Sequence, residues 1–407
     1  MKYRFVLFAC LILLSFITAV TFTTPRARPS LNAIRQDING DGRVDKYDAM
    51  ILMAAYASMP ASVNWNAKAD LNSDNRVDIY DALLFAANYG NSVRAIFGAT
   101  GIDGWHSPVS SMTNGHASVI KAMKLDYFQM YHFSIWNASE PNKGIYDFSC
   151  LESNVNVCLN YGLKVFDTMP EFRYRPDWAT RPEINATRTV DEMVPVTREL
   201  ARHFKGKILG WTLGRELNLY RKTATWLTND ILYHYFRELS EAIRAEDPAA
   251  LTMIDSGGDS SINLYNWFKG IIDAGIDFDI ISPHPYFATA NYAAGLGWDP
   301  TPETIIKWSF GGTAGNRVVD LPKTIWCTEI GFFPNEATRN HTAEEEISVM
   351  TEAITIFQRD YPQITGFFWF PWKTSFDSKE AVRMWGLVDA GGTINPVGQQ
   401  WQKYASN

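Results

Sequence analysis

The sequence predicts an α/β protein in two parts: a small all-α module built on two paired loops, then a (β/α)8 barrel. Three observations predict it. Residues 37–56 recur at 70–89, an offset of 33. From residue 93 to residue 407, short apolar runs alternate with helical patterns over 315 residues, a length that suits such a barrel. Of the 407 residues, 46% are hydrophobic, enough for a sizeable core. The boundaries are a leader at 1–24, the module at 35–90 and the barrel at 93–407.

The leader carries Lys2 and Arg4, then an apolar run from Phe5 to Val20, then polar Thr21 to Thr24. A basic flank before an apolar stretch is an export signal. The run is 16 residues long, between a signal core and a membrane span, so cleavage and retention as an anchor both stay open. The expected location is secreted or attached to the cell surface, with membrane contact only if the leader is retained. The net charge of −7 argues against nucleic acid and anionic lipid as partners. Cys10 lies in the leader, leaving Cys150, Cys158 and Cys327. Cys150 and Cys158 fall on one helix, about 12 Å apart along its axis, too far for a disulfide.

The repeat reads DINGDGRVDKYDAMILMAAY and then DLNSDNRVDIYDALLFAANY. Each copy opens with a twelve-residue loop whose oxygen donors fall at positions 1, 3, 5 and 12. They are Asp37, Asn39, Asp41 and Asp48 in the first loop, and Asp70, Asn72, Asp74 and Asp81 in the second. The carbonyls of Arg43 and Arg76 stand at position 7, and Asp45 and Asp78 at position 9. Hard oxygen donors at this spacing suit Ca²⁺, one ion per loop. Position 6 requires a positive φ, which Gly42 meets directly and Asn75 tolerates. The paired loops, each with one following helix, resemble the dockerin module. That resemblance implies a cohesin-bearing scaffold as partner, engaged near Lys46, Tyr47, Ile79 and Tyr80. A calcium-stabilised module serving only its own chain is the other reading.

The eight strands are expected at 95–100, 127–133, 164–169, 208–213, 251–254, 278–282, 324–328 and 365–370. In the helix after the second, Ser149 is the expected cap with Glu152 three residues on. Leu151, Val155 and Leu159 form its buried stripe and Gly162 ends it. In a barrel, reactive groups gather at the carboxyl ends of strands. Glu216 ends the run from Ile208 and Glu329 the run from Thr324. A carboxylate at the end of a buried strand is paired or functional, because desolvating a lone charge is costly.

GWTLGRELN is similar to the fourth-strand motif of clan A glycoside hydrolases, and TIWCTEIGFF to their seventh-strand motif. Glu216 and Glu329 lie 113 residues apart, room for the intervening units. WNASEPNKGIYDFSCLE, FDIISPHPY, GFFWFPWK and GLVDAGGTINP resemble further segments of the clan, in order. The resemblance implies a TIM barrel that hydrolyses β-glycosides with retention, Glu216 acting as acid/base and Glu329 as nucleophile, without a catalytic cofactor. It implies that Tyr286 holds the nucleophile, that His284 lines the same wall, and that Trp369 floors the sugar site. His132, Trp136 and Asn218 are further expected substrate contacts, and Trp178 an outer stacking residue. Arg215 stands where the clan places Asn, and the arginine many members carry on strand two is absent, with Met130 near that place. An endo-glycanase acting on plant cell-wall polysaccharide is the leading expectation. A barrel that binds glycan without cleaving it, and a scaffold-docked protein serving adhesion, are the alternatives.

Overall fold

The computed structural model describes residues 36, 38, 44, 46–72, 74–86, 89, 95–101, 112–130, 135–288, 299–332, 341–371, 373, 375–377, 382–384, 386–389 and 391–406. The chain divides into two compact units, 1–94 and 95–407. Among the described residues no helix is long and apolar enough to cross a membrane.

Among the described residues, the first unit has the helices Lys46–Ala55 and Ile79–Ala86. The repeat is visible in what each copy buries. Ile38 and Leu71, Val44 and Val77, and Leu52 and Phe85 are matched pairs in one small core. Ser58 and Val77 form an antiparallel bridge that joins the copies. The outward face repeats as well: Tyr47 and Tyr80, Met50 and Leu83, and Tyr56 and Tyr89 are all exposed.

The second unit is a closed barrel of parallel strands. Its strands are β1 (Ile96–Thr100), β2 (Tyr127–Gln129), β3 (Lys164–Thr168), β4 (Gly210–Thr212), β5 (Leu251–Gly257), β6 (Ile280–His284), β7 (Tyr286–Phe287), β8 (Thr324–Phe332) and β9 (Ile364–Trp369). Neighbours pair in order from β1 to β6, β6 pairs with the start of β8, β8 with β9, and β9 returns to β1. Residues Tyr286 and Phe287 of β7 pair with Gly331 and Phe332 of β8, so β7 continues the sixth barrel strand beyond Pro285. Each expected strand lies at its place, with ends shifted by a few residues.

Aromatic rings plug the barrel's interior. Trp326 of β8 meets Phe166 of β3 at 5.4 Å, Tyr127 of β2 at 6.0 Å and Phe368 of β9 at 5.8 Å between centroids. Room for these rings comes from glycine. A Cβ on Gly366 would lie 2.3 Å from the Trp326 ring, and one on Gly210 would lie 2.5 Å from Phe166. Above this plug the interior turns polar, with Gln129 donating to Thr212 and Thr100 to the Thr328 carbonyl.

The helix after β2 corrects the sequence reading. It spans Ser149–Asn160, and Ser149 is its first turn rather than its cap; Asp147 accepts from the Ser149 N–H instead. Its buried stripe is Leu151, Val155 and Cys158, while Leu159 is exposed. At 3.6 residues per turn, position i+7 returns to within about 20° of i, whereas i+8 swings about 80° away. Gly162 does end the helix, at φ 69°. Cys150, Cys158 and Cys327 are free thiols, and burial pushes Cys158 up to about 12.

Candidate active site

The site stands at the carboxyl ends of β4, β5, β6 and β8. Glu216 follows β4 in a tight turn. Gly214 has φ 71°, and Glu216 itself adopts the left-handed conformation, φ 47° and ψ 41°, which costs a non-glycine residue about 1 kcal/mol. Carboxylates from both flanking strands pin that turn. Glu171, just after β3, accepts from the Arg215 N–H at 2.9 Å, and Asp255 on β5 accepts from the Glu216 N–H at 2.6 Å. Glu171 is itself paired with Arg173, whose guanidinium also donates to the Arg215 carbonyl.

Glu329 reaches the cleft through a β-bulge. Cys327 pairs with Phe367 and Ile330 with Trp369, so β8 carries one residue more than β9 across this interval. The extra residue lets Thr328 and Glu329 both address the site. Thr328 bonds Ser282 at 2.6 Å and lies 3.3 Å from His284 Nε2. Glu329 is 1% exposed and holds Tyr286 on one oxygen and Arg215 Nη2, at 3.2 Å, on the other.

A carboxylate oxygen of each glutamate and a ring nitrogen of His284 lie within 4.8 Å of one another. Fully buried His284 stands 3.0 Å from Glu216 Oε1 and 3.6 Å from Glu329 Oε1 through Nδ1. Its Nε2 faces Asp255 Oδ2 at 3.8 Å. Arg215 already supplies the cation beside this cluster, so the arrangement favours acid–base chemistry over a metal ion.

Burial alone would raise the Glu216 carboxyl. The hydrogen bond and charge of His284, with the charges of Arg215 and Arg173, outweigh it and bring Glu216 down to about 2. Burial pushes Glu329 well above the usual carboxylate range, with the Tyr286 hydroxyl donating to one oxygen and the Arg215 guanidinium paired with the other. Burial and the Glu216 charge keep the Tyr286 proton in place, so its hydroxyl serves as a donor. Burial also lifts Asp255, to about 7, against the pull of His284 and with the push of Glu216. An acid needs a proton on Glu216, and its ionised state hangs on His284 donating through Nδ1.

The remaining expected contacts divide. Asn218 faces β5, accepting from the Gly257 N–H at 2.9 Å and donating to its carbonyl at 3.2 Å. It closes the turn rather than reaching toward sugar. Trp136 is enclosed, its indole donating to Glu140 at 3.0 Å, and it packs edge-on against Trp178. Trp369 is enclosed too, tilted on Trp401 at 5.4 Å, and is no open floor. Both large rings are taken by the core. Trp178 stays half-exposed, its indole donating to the Glu140 carbonyl with Lys143 over its ring. His132 lies outside the described residues. Asp255 and Glu171 are absent from the sequence reading, although both are carboxylates at strand ends.

In the module, Asp37, Asn39, Asp41, Arg43 and Asp45 also lie outside the described residues. Asp48 and Asp81, the two position-12 carboxylates, are both fully buried. Asp81 accepts from the N–H groups of Leu71, Asn72 and Asp78. Asp70 accepts from Asp74 and Asn75, and Asp74 from Arg76. Asn75 adopts φ 63°, as position 6 demands. Oxygens of Asp70, Asn72, Asp74 and Asp81 thus share one loop, a hard donor set that fits Ca²⁺.

The barrel has the fold of glycoside hydrolases. It is similar to a family 39 glycoside hydrolase from Bacteroides cellulosilyticus (16% identity, TM-score 0.54, covering 75% of this chain and 63% of that one). It is also similar to GH5_18 from Streptomyces cattleya, solved with Manβ1-4GlcNAc (15%, TM-score 0.59, 77% and 80%), and to xylanase 10B from Thermotoga maritima (15%, TM-score 0.55, 77% and 95%). Endo-1,4-beta-xylanase A from Phanerodontia chrysosporium is 24% identical over 172 residues, which are 40% of this chain and 41% of that relative's length. Residues 35–88 match the Dockerin type I domain.

Proposed function

We propose that this protein is a secreted, retaining β-glycoside hydrolase that cleaves plant cell-wall polysaccharide and docks on a cohesin-bearing scaffold through its N-terminal module. The observation that carries the reading is the approach of Glu216 and Glu329 to within 4.8 Å. Retention uses carboxyl groups about 5–5.5 Å apart, whereas inversion needs a gap of about 6.5–9.5 Å for a water.

Glu329, as the carboxylate, attacks the anomeric carbon, with Tyr286 on one oxygen and the Arg215 guanidinium beside the other. Glu216, bearing its proton, delivers it to the leaving oxygen. The same carboxylate then takes a proton from water, which attacks the glycosyl-enzyme from the opposite side. His284 lies beside both carboxylates and governs the proton on Glu216. Trp178 is the outer stacking platform. Two Ca²⁺ ions order the module, and its duplicated outward faces, centred on Tyr47 and Tyr80, present the partner surface.

Xylan is the first substrate to try, since relatives on both the sequence and the structure side are named xylanases. A reducing-end assay on xylan, mannan, β-glucan and galactan tests the reading, with Glu216→Ala and Glu329→Ala in parallel. Hydrolysis of one glycan, lost in both variants, supports it. Activity on none of them, with binding retained, would instead favour a barrel that binds glycan without cleaving it.

A further inference from the structure

We propose that Asp255 is a positioning residue of the acid/base arm: it fixes the Glu216 turn and directs the ring proton of His284 away from Glu216. This rests on the assignment of Glu216 as acid/base. No charge pattern in the sequence marks Asp255, yet it meets that arm twice.

The first meeting is at the backbone. Asp255 Oδ1 accepts from the Glu216 N–H at 2.6 Å, holding a residue whose φ of 47° is left-handed. The second is through His284. Asp255 Oδ2 takes no hydrogen bond from any described residue, and it faces His284 Nε2 at 3.8 Å, a charge contact beside the hydrogen-bonding Thr328 Oγ1 at 3.3 Å. His284 Nδ1 lies 3.0 Å from Glu216 Oε1. A carboxylate on the Nε2 side favours the neutral tautomer with its proton there. Nδ1 is then a lone pair, and it accepts from a protonated Glu216. With the proton on Nδ1 the ring donates instead, holds Glu216 ionised and removes the acid. The charged and titratable groups facing Asp255 are His284 on β6, Glu216 and Arg215 in the turn after β4, and Tyr235 from helix Asn229–Glu246.

Asp255→Asn keeps an acceptor for the Glu216 N–H but presents an amide N–H to Nε2, forcing the ring proton onto Nδ1. For a glycoside with a poor leaving group, kcat/KM should fall about 10²-fold. For a dinitrophenyl glycoside, which needs no acid, it should fall at least about tenfold less. The basic limb of the pH profile, which reports the acid, should move about one unit lower, because a donor to a carboxylate favours its ionised form. Equal losses on both substrates, or an unmoved limb, would overturn the proposal. Independently of how that variant folds, ¹⁵N NMR of the wild-type protein at about pH 8, where Asp255 is ionised, should find His284 protonated at Nε2 and bare at Nδ1; the opposite tautomer overturns it. Glu216→Ala serves as the reference in the same assay. If it shows no leaving-group dependence, the acid/base assignment fails and this inference falls with it. If it does and Asp255→Asn does not, the inference falls alone.

Discussion

Arg215 pairs with Glu329, not with its neighbour Glu216: the guanidinium Nη2 lies 3.2 Å from Glu329 Oε1, and both side chains are largely shielded from solvent. An arginine beside Glu216 in sequence would be expected to depress an acid. Glu171 and Asp255 hold the backbone of the turn, and although Arg215 pairs with Glu329, its charge still helps to hold Glu216 low. In the proposed mechanism that cation, from the turn after strand four, serves the nucleophile in a barrel without an arginine on strand two.

Removing that cation should strand a buried carboxylate. Arg215→Met is expected to lower kcat/KM about 10²-fold, equally on neutral and on uronate-bearing glycans. Arg215→Lys should recover part of it. A loss confined to uronate-bearing glycans would place Arg215 on the substrate instead.

The two carboxylates should respond differently to an external nucleophile. With an activated aryl β-glycoside, azide should restore turnover to Glu216→Ala and give the β-azide. Glu329→Ala should give the α-azide, because azide then occupies the vacated face. Product NMR reads the difference, and swapped products would reverse the roles.

Asp255 gives a pH dependence of stability. Its folded pKa, about 7, lies above the ordinary 3.8, so the folded state binds the proton more tightly. That contribution is fully present below about pH 4 and is lost as pH rises through 7. Between those values the wild type should lose roughly 4 kcal/mol relative to Asp255→Asn, whose amide does not titrate. Denaturant melts of the two proteins from pH 4 to pH 8 should diverge on the acid side; parallel curves would show that Asp255 does not titrate in this window.

Calcium should act on the module alone. Titration calorimetry of the full chain is expected to give two ions per chain, and chelator to abolish one of two unfolding transitions while leaving the barrel's unchanged. Asp81→Ala should reduce the count to one. A chelator-insensitive melt would reject bound calcium as the source of the module's stability.

Much of the fold was legible because its signals are periodic. The offset of 33 reappears in matched burial, Val44 with Val77 and Asp48 with Asp81, and the apolar runs became strands where expected. The two glutamates were legible because each ends an apolar run. The same criterion applies to Asp255 after LTMI, but the expected fifth strand stops at Ile254, three residues short of its end at Gly257, and leaves the carboxylate out. Sequence also carried no sign of the bulge that brings Thr328 and Glu329 to the site together. Aromatic and amide side chains misled for a different reason. Trp369 ends its strand and Asn218 follows the turn after β4, yet Trp401 and the Gly257 backbone claim them, and only three-dimensional packing decides such contests.

Double displacement between Glu216 and Glu329 is read out by the stereochemistry of the first-formed product. Following hydrolysis of a β-glycan by ¹H NMR in the first minutes, before mutarotation, the new reducing end should appear as the β-anomer. Initial appearance of the α-anomer would mean single displacement by water, and would contradict the account.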